Sequence, residues 1–245
     1  MLNFPLNPIE PKSRNLPVNG VSHEIRLCRS IKLSDGRTLL VGGEETVSDK
    51  ALNRTWLLSA TGKVSEGPLL KHRSVYHALC QINDGRVLII GGLDKTTGKA
   101  LGSVEIFNPT NNTINYFGKL NVPRYLHECT VGLGKNSNSV FVTGGCTDRQ
   151  LSDSGDTLTA TIEKGDITTG NFIIVGQLHQ ARFRHRIERT ADGKADIIGG
   201  DFDEPNYNEP LKTESLCLSD EMPIASKTVR LPTVGEIVWV YQTLL

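Results

Sequence analysis

Arginine, histidine and aromatic side chains gather at three places in this 245-residue chain. They are Lys71, His72, Arg73 and Tyr76; then Arg124, Tyr125 and His127; then Arg182, Phe183, Arg184 and His185. Acids gather elsewhere, at Glu44 and Glu45, Asp94, Asp148, Asp201, Asp203 and Glu204, with Tyr207 beside the last group. An arginine offers a planar fork of donors to a carboxylate or phosphate, and a tyrosine offers rigid amphipathic area. That mixture suits recognition of a peptide or a sugar. The competing role for repeated Arg and His residues is support of the fold through internal hydrogen bonds; His127 and His185 suit it best, and Arg124, Arg182 and Arg184 suit either.

Catalytic readings find less to stand on. No GxSxG, Walker or HExxH pattern marks a nucleophile, a phosphate loop or a metal centre. His72, His77, His127 and His185 have no ligand spacing, so no metal and no cofactor are expected. Lys plus Arg and Asp plus Glu are 27 each, which removes the net field that drives binding to nucleic acid or an anionic membrane. Recognition must therefore be local.

The elements that position these residues form a repeat. Double glycines stand at Gly42-Gly43, Gly91-Gly92, Gly144-Gly145 and Gly199-Gly200, with successive spacings of 49, 53 and 55 read from the sequence. In three copies an Asp-Gly pair lies seven residues earlier, at Asp35-Gly36, Asp84-Gly85 and Asp192-Gly193. Asp-Gly between two apolar runs predicts a hairpin with a type I′ turn; residues 134–138 replace it in the third copy. First strands are expected at 26–33, 76–82, 128–133 and 185–190, and second strands at 38–41, 87–90, 140–143 and 195–198. Third strands are expected at 55–59, 103–107, 157–162 and 214–218, and fourth strands at 63–66, 113–117, 171–175 and 226–231. The second set is apolar without clean alternation, as in strands covered on both faces. Four short strands in about 50 residues describe one propeller blade.

With its double glycine closing the second strand, the repeat resembles the kelch family over roughly residues 26–231. The middle copy, SVEIFNPTNNTINYFGKLNVPRYLHECTVG, is similar to the kelch variant of galactose-oxidase-like propellers. It has an Asn-Pro corner, an Asn-Asn turn and a Pro-Arg-x-x-His approach to the next blade. Val64 and Ile114 stand where that family usually has a fourth-strand aromatic. The resemblance implies an all-β, kelch-type β-propeller of about five four-stranded blades in a single domain, 1–245. Four blades are complete; the fifth is expected to be composite, with outer strands from LNFPLNP at residues 2–8 and the segment around Leu16, and a first strand from EIVWVYQTLL at 236–245.

The resemblance also implies that linkers between blades and loops after the double glycines share one ligand-bearing face. The expected ligand-binding set is Arg73, Tyr76, Asp94, Arg124, Tyr125, Asp148, Arg182, Arg184, Asp203 and Tyr207. A galactose-oxidase-like copper site would need a tyrosine pair that the five tyrosines do not supply, since Tyr116 falls on an outer strand and Tyr241 in the closing one. The expected function is a non-catalytic module binding a protein or peptide, plausibly acidic; the alternative is a small-sugar enzyme such as a sialic-acid mutarotase-like protein. Four prolines in the first 17 residues and no basic-then-apolar segment argue against a secretory signal. No apolar run reaches the roughly 18 residues of a membrane span. Cys28, Cys80, Cys129, Cys146 and Cys217 lack CxxC spacing and are expected to be buried free thiols in the cytoplasm. Trp56, Phe172 and Trp239 are expected in packing.

Overall fold

The computed structural model describes residues 14–18, 21–148, 157–201, 212–218 and 238–239. Among them there is no α-helix, only the single 3-10 turn Gly134–Asn136 between strands. Four four-stranded sheets follow one another along the chain, one per double glycine. The first comprises Arg29–Lys32, Thr38–Val41, Thr55–Leu58 and Val64–Glu66; the second Ala78–Gln81, Val87–Ile90, Ser103–Asn108 and Thr113–Lys119. The third comprises Glu128–Val131, Ser139–Thr143, Thr161–Asp166 and Phe172–Gln177; the fourth begins with Arg186–Arg189, Lys194–Ile198 and Glu214–Cys217. Neighbouring strands within the first three sheets are all antiparallel.

Cores lie between successive sheets, which is why the second strands are apolar throughout. Val87, Leu88, Ile89 and Ile90 are all buried. Val87 and Ile89 pack towards Leu39, Val41 and Leu57 of the first sheet. Leu88 and Ile90 pack towards Val131, Val140 and Val142 of the third. A strand with cores on both faces cannot alternate apolar and polar residues. First strands of successive sheets lie side by side, so the sheets radiate from a common line like the blades of a propeller.

The Asp-Gly hairpins form with a different turn. Only the glycine has positive φ, at 87° for Gly36, 88° for Gly85 and 81° for Gly193. Gly36 N–H donates to Leu33 O at 3.1 Å while Leu33 N–H donates to Arg37 O at 2.7 Å. This is a three-residue connection, a type I turn followed by a left-handed glycine, rather than the expected type I′ pair. The aspartate instead caps the loop, Asp35 accepting from Arg37 N–H at 3.0 Å and Asp84 from Arg86 N–H at 3.0 Å.

Three further expectations are corrected. In the third repeat the strand expected at 157–162 runs Thr161–Asp166, and Thr157–Leu158 instead pairs with Cys146–Asp148. A longer loop after Gly145 moves the register: Gly144 N–H meets Thr161 O, the place held by Ser103 O for Gly91. At the C-terminal end, Val238–Trp239 runs parallel beside Glu214–Cys217, in the outer position of the fourth sheet and not as the first strand of a fifth. At the other end, Arg14–Val18 pairs with Val21–Arg26, and Leu16 packs with Ile25 on Leu40 and Trp56. That hairpin covers the face of the first sheet turned away from the second. Residues 2–8 and 226–231, proposed above as strands, lie outside the described residues.

Candidate interaction face

The first three double glycines are contacts between blades. The N–H groups of Gly43, Gly92 and Gly145 donate to the carbonyls of Ser74, Arg124 and Arg182 in the next linker, at 3.2, 2.9 and 2.8 Å. A Cβ on Gly42, Gly91 or Gly144 would stand 2.5 Å from those same three oxygens, so only glycine fits. Each linker then makes a short backbone bridge with the loop of its own blade: Val75 with Leu93, Tyr125 with Cys146, Phe183 with Asp201. Linkers and post-glycine loops therefore do share a face. Loops of the second and third blades even join in one four-stranded sheet, Leu93–Asp94, Lys99–Ala100, Cys146–Asp148 and Thr157–Leu158.

Three residues before the histidine of each linker stand Ser74, Arg124 and Arg182. Arg124 is fully buried and commits all five of its N–H donors. Nε donates to Val122 O at 3.1 Å, Nη1 to Gly144 O and Thr161 O at 2.8 and 3.0 Å, and Nη2 to Thr161 Oγ1 and Glu163 Oε1 at 2.6 and 2.8 Å. Arg182 is also buried and pairs with Glu214 at 2.6 Å. Both guanidiniums hold a linker to its blade, and neither has a face turned to solvent. Tyr125 is buried as well, at 2 % exposure. As ligand contacts these three expectations are corrected. The acids on the other side, Glu163 and Glu214, with Glu105 in the second blade, went unnoticed in the sequence, although each stands in a third strand of its blade. They accept linker N–H groups from Asn121 at 2.7 Å, His179 at 2.6 Å and Lys71 at 3.0 Å.

His77, His127 and His185 are buried and neutral. Burial, with Arg29 nearby, holds His77 down to about 3. Burial, with Arg182 and Arg124, does the same for His185. Burial first, then Arg124 and Arg29, hold His127 well below its ordinary range. Ser74 Oγ lies 3.1 Å from His77 Nδ1 and Thr143 Oγ1 2.8 Å from His185 Nε2. No three or more His, Cys, Asp or Glu among the described residues are grouped to hold a metal ion.

Immediately before the histidine comes the residue that does reach the surface. Tyr76, Leu126 and Arg184, with Leu27 in the first repeat, have φ of 59°, 55°, 54° and 59°. Left-handed backbone costs a non-glycine residue about 1–2 kcal/mol. Here it turns the amides along the ring: Leu126 N–H donates to Tyr76 O at 3.0 Å and Arg184 N–H to Leu126 O at 2.9 Å. Their side chains are partly or largely exposed where the first strands begin. The Tyr76 ring lies 6.4 Å from that of Tyr125. Arg184, 60 % exposed, lies over Phe183 at 5.4 Å and reaches Asp201 at 3.4 Å. Leu27 and Leu126 were not picked out by type, but their position before the linker histidine, or before Cys28 in the first copy, would have identified them.

The remaining expected site residues are dispersed around this ring. Arg73 is exposed and donates to Ala51 O at 3.4 Å. Asp94 is half-buried and its carboxylate accepts from Thr96 N–H at 2.9 Å, closing its own turn. Asp148 lies in the loop sheet, its backbone paired with Lys99 and Thr157. Asp203 and Tyr207 lie outside the described residues. On the same face Glu44, 1 % exposed, joins Arg26 to Lys95 and so ties the first blade's loop to the second's.

Radiating antiparallel sheets with double-glycine contacts between them define an all-β, propeller-type fold. The Kelch motif matches residues 75–113, which span the second blade from the linker bridge at Val75 to the start of its fourth strand. That match supports a kelch-repeat family for the chain. No curated protein matches it. No helix among the described residues is long and apolar enough to cross a membrane.

Proposed function

We propose that the chain is a non-catalytic protein-interaction module, a single kelch propeller working in the cytoplasm. It binds an acidic peptide segment of a partner protein where the ring of Tyr76, Leu126 and Arg184 opens. The observation that carries this reading is the division of labour within each linker. Arg124, Arg182 and the histidines are buried in support of the blades, while the next position presents apolar and cationic side chains from left-handed backbone to solvent. Strain repeated at one exposed ring is a mark of a binding surface. Arg184 meets Asp201 at only 3.4 Å and is largely exposed, so a ligand carboxylate can compete for its guanidinium. Tyr76 supplies rigid contact area beside it.

The test is affinity capture with the full chain, identification of the partner by mass spectrometry, and titration of the partner against variants. Arg184→Ala and Tyr76→Ala should each weaken binding by about 1–3 kcal/mol with the melting temperature nearly unchanged. Unchanged affinity in both variants would move the site elsewhere.

A further inference from the structure

The linker into the second blade departs from the two that follow it along its outer half. Counting back from the linker histidine, the seventh residue is a buried leucine in all three, Leu70, Leu120 and Leu178. Its surroundings differ. The eighth residue is Leu69, 61 % exposed, where the later linkers have Lys119 and Gln177. The sixth, fifth and fourth are Lys71, His72 and Arg73, all exposed, where the third blade's linker has Asn121, Val122 and Pro123 and the fourth's has His179, Gln180 and Ala181. Support of the blade does not need these side chains. Leu70 N–H donates to Asn53 O at 2.8 Å, Asn53 Nδ2 to Leu70 O at 3.3 Å and Lys71 N–H to Glu105 at 3.0 Å, so backbone bonds already anchor the run. With Leu70 turned inwards, alternation points Leu69 and Lys71 outwards together. The second blade then adds Tyr116, 60 % exposed on the outer strand Thr113–Lys119, with Lys71 Nζ 5.8 Å from the centre of its ring. No ion pair among the described residues engages Lys71, His72 or Arg73; Arg73 makes one long bond, to Ala51 O at 3.4 Å. Only the buried Ser74 and Val75 separate this patch from Tyr76.

We propose that this outer half-linker is a second subsite, which takes the continuation of the acidic peptide. Carboxylates of the peptide lie over Arg73, His72 and Lys71, and one apolar side chain seats against Leu69 and Tyr116. The inference rests on the reading above, which puts another part of the same peptide at Tyr76 and Arg184. It adds a chemical pattern, a run of acids followed by an apolar residue. Each part of the pattern has its own task. Exposed charges contribute little affinity singly but steer an anionic segment and fix its register. The leucine and the tyrosine supply the area that holds it, and the ammonium over the tyrosine ring keeps that cation beside the apolar contact. A nucleic acid fits less well: an exposed leucine has no use for a phosphate chain, and a lone ring offers no series of stacking platforms.

The probe is a bead-displayed library of random peptides about twelve residues long, reaching up to ~40 Å when extended. It is selected on the immobilised full chain, and enriched peptides are titrated by fluorescence anisotropy. Enriched sequences should carry clustered Asp or Glu with a Leu, Ile or Phe to one side. Lys71→Ala and Arg73→Ala should each weaken binding about three- to tenfold, and Leu69→Ser and Tyr116→Ser about tenfold. All four side chains are exposed, so the melting temperature should hardly move. Replacing the peptide's apolar residue with serine should cost about tenfold too, a measurement that involves no variant of the chain. Ile173→Ser, an equally exposed apolar position on the third blade's outer strand, should leave affinity unchanged. Losses in Arg184→Ala and Tyr76→Ala without losses at these four positions would remove the subsite and leave the acidic-peptide reading standing. Losses at the four positions alone would keep the subsite and move the peptide off the ring. Enrichment of no peptide with acids beside an apolar residue, or displacement of the peptide by single-stranded DNA at equal affinity, would overturn the proposal.

Discussion

The linker into the second blade and the linker into the third follow the same backbone path with different chemistry. Both give a carbonyl to the preceding double glycine, both end on a buried histidine, and both meet a third-strand glutamate. In the third blade Glu163 accepts from Asn121 N–H, Val122 N–H, Asn121 Nδ2 and Arg124, which itself has no donor left over. In the second, Ser74 takes the arginine's place and Glu105 receives only Lys71 N–H. The path is thus set by glycine geometry and backbone bonds, and the buried ion pair is an addition to it. That separates what makes a blade from what reinforces one.

Acid should have the largest effect, because it acts on what the linkers share. All three buried histidines have folded-state values far below 6.5, so the unfolded chain takes up protons that the folded chain refuses. Stability contributed this way is complete above about 6.5, falls as pH drops, and levels off near 3, where the folded histidines finally charge. The slope should approach about 1.4 kcal/mol per pH unit for each histidine. Urea unfolding at pH 7, 6 and 5 measures it. A pH-independent midpoint over that interval would show that the histidines are charged or solvated in the folded chain.

The arginines probe where the linkers differ. Arg124→Ala leaves Glu163 buried without its cation and removes four further donated bonds, and should cost about 3–5 kcal/mol. Arg182→Ala should cost somewhat less, since Arg182 makes three bonds against the five of Arg124. Arg73→Ala, an exposed residue one position off the structural equivalent, should change stability by less than about 0.5 kcal/mol. If Arg73→Ala were the most damaging of the three, the alignment of linkers on Ser74 would be wrong.

Double glycines extend the comparison along the chain. Gly144→Ala would put a methyl group 2.5 Å from Arg182 O, at a φ of 59°, and should cost about 2 kcal/mol or more. Gly199 has a similar φ of 64°, but a Cβ there meets nothing within 4 Å among the described residues. Gly199→Ala should then carry only the backbone penalty of about 1 kcal/mol. Equal losses in thermal melts would mean that a further blade packs on Gly199 as tightly as the fourth packs on Gly144.

Strands were legible where a physical constraint left one choice. The runs 38–41 and 87–90 are the observed Thr38–Val41 and Val87–Ile90, because an apolar run covered on both faces ends abruptly at a glycine pair. Asp-Gly was legible as a hairpin but not as a turn type, since one added loop residue changes the turn and both versions favour the same dipeptide. Thr161–Asp166 was misplaced because the loop before it builds strands of its own. Residue type located the linkers but could not say which side chains face outwards. Arg124 and Arg184 look alike in the sequence; counting back from the histidine, three places for one and one for the other, separates a buried clamp from an exposed contact.

The smallest effect belongs to the glutamate that lacks an arginine. Burial raises Glu105 above its ordinary value of 4.5, against lesser opposing pulls from the Lys71 N–H, His72 and Lys71. A carboxylate whose folded value lies above its unfolded one makes the folded chain less stable when charged and returns that stability as pH falls through the raised value towards 4.5. At neutral pH, Glu105→Gln keeps an acceptor for Lys71 N–H while removing the buried charge, so the change should lie within about 1 kcal/mol and favour the variant. At pH 5 the wild-type chain has recovered part of the difference, and the advantage should shrink. Glu163→Gln should behave oppositely, costing stability at both pH values because Arg124 loses its counter-charge in a fully buried site. A loss from Glu105→Gln as large as that from Glu163→Gln would mean that the second blade has a cation on its glutamate after all, and the distinction between the two linkers would disappear.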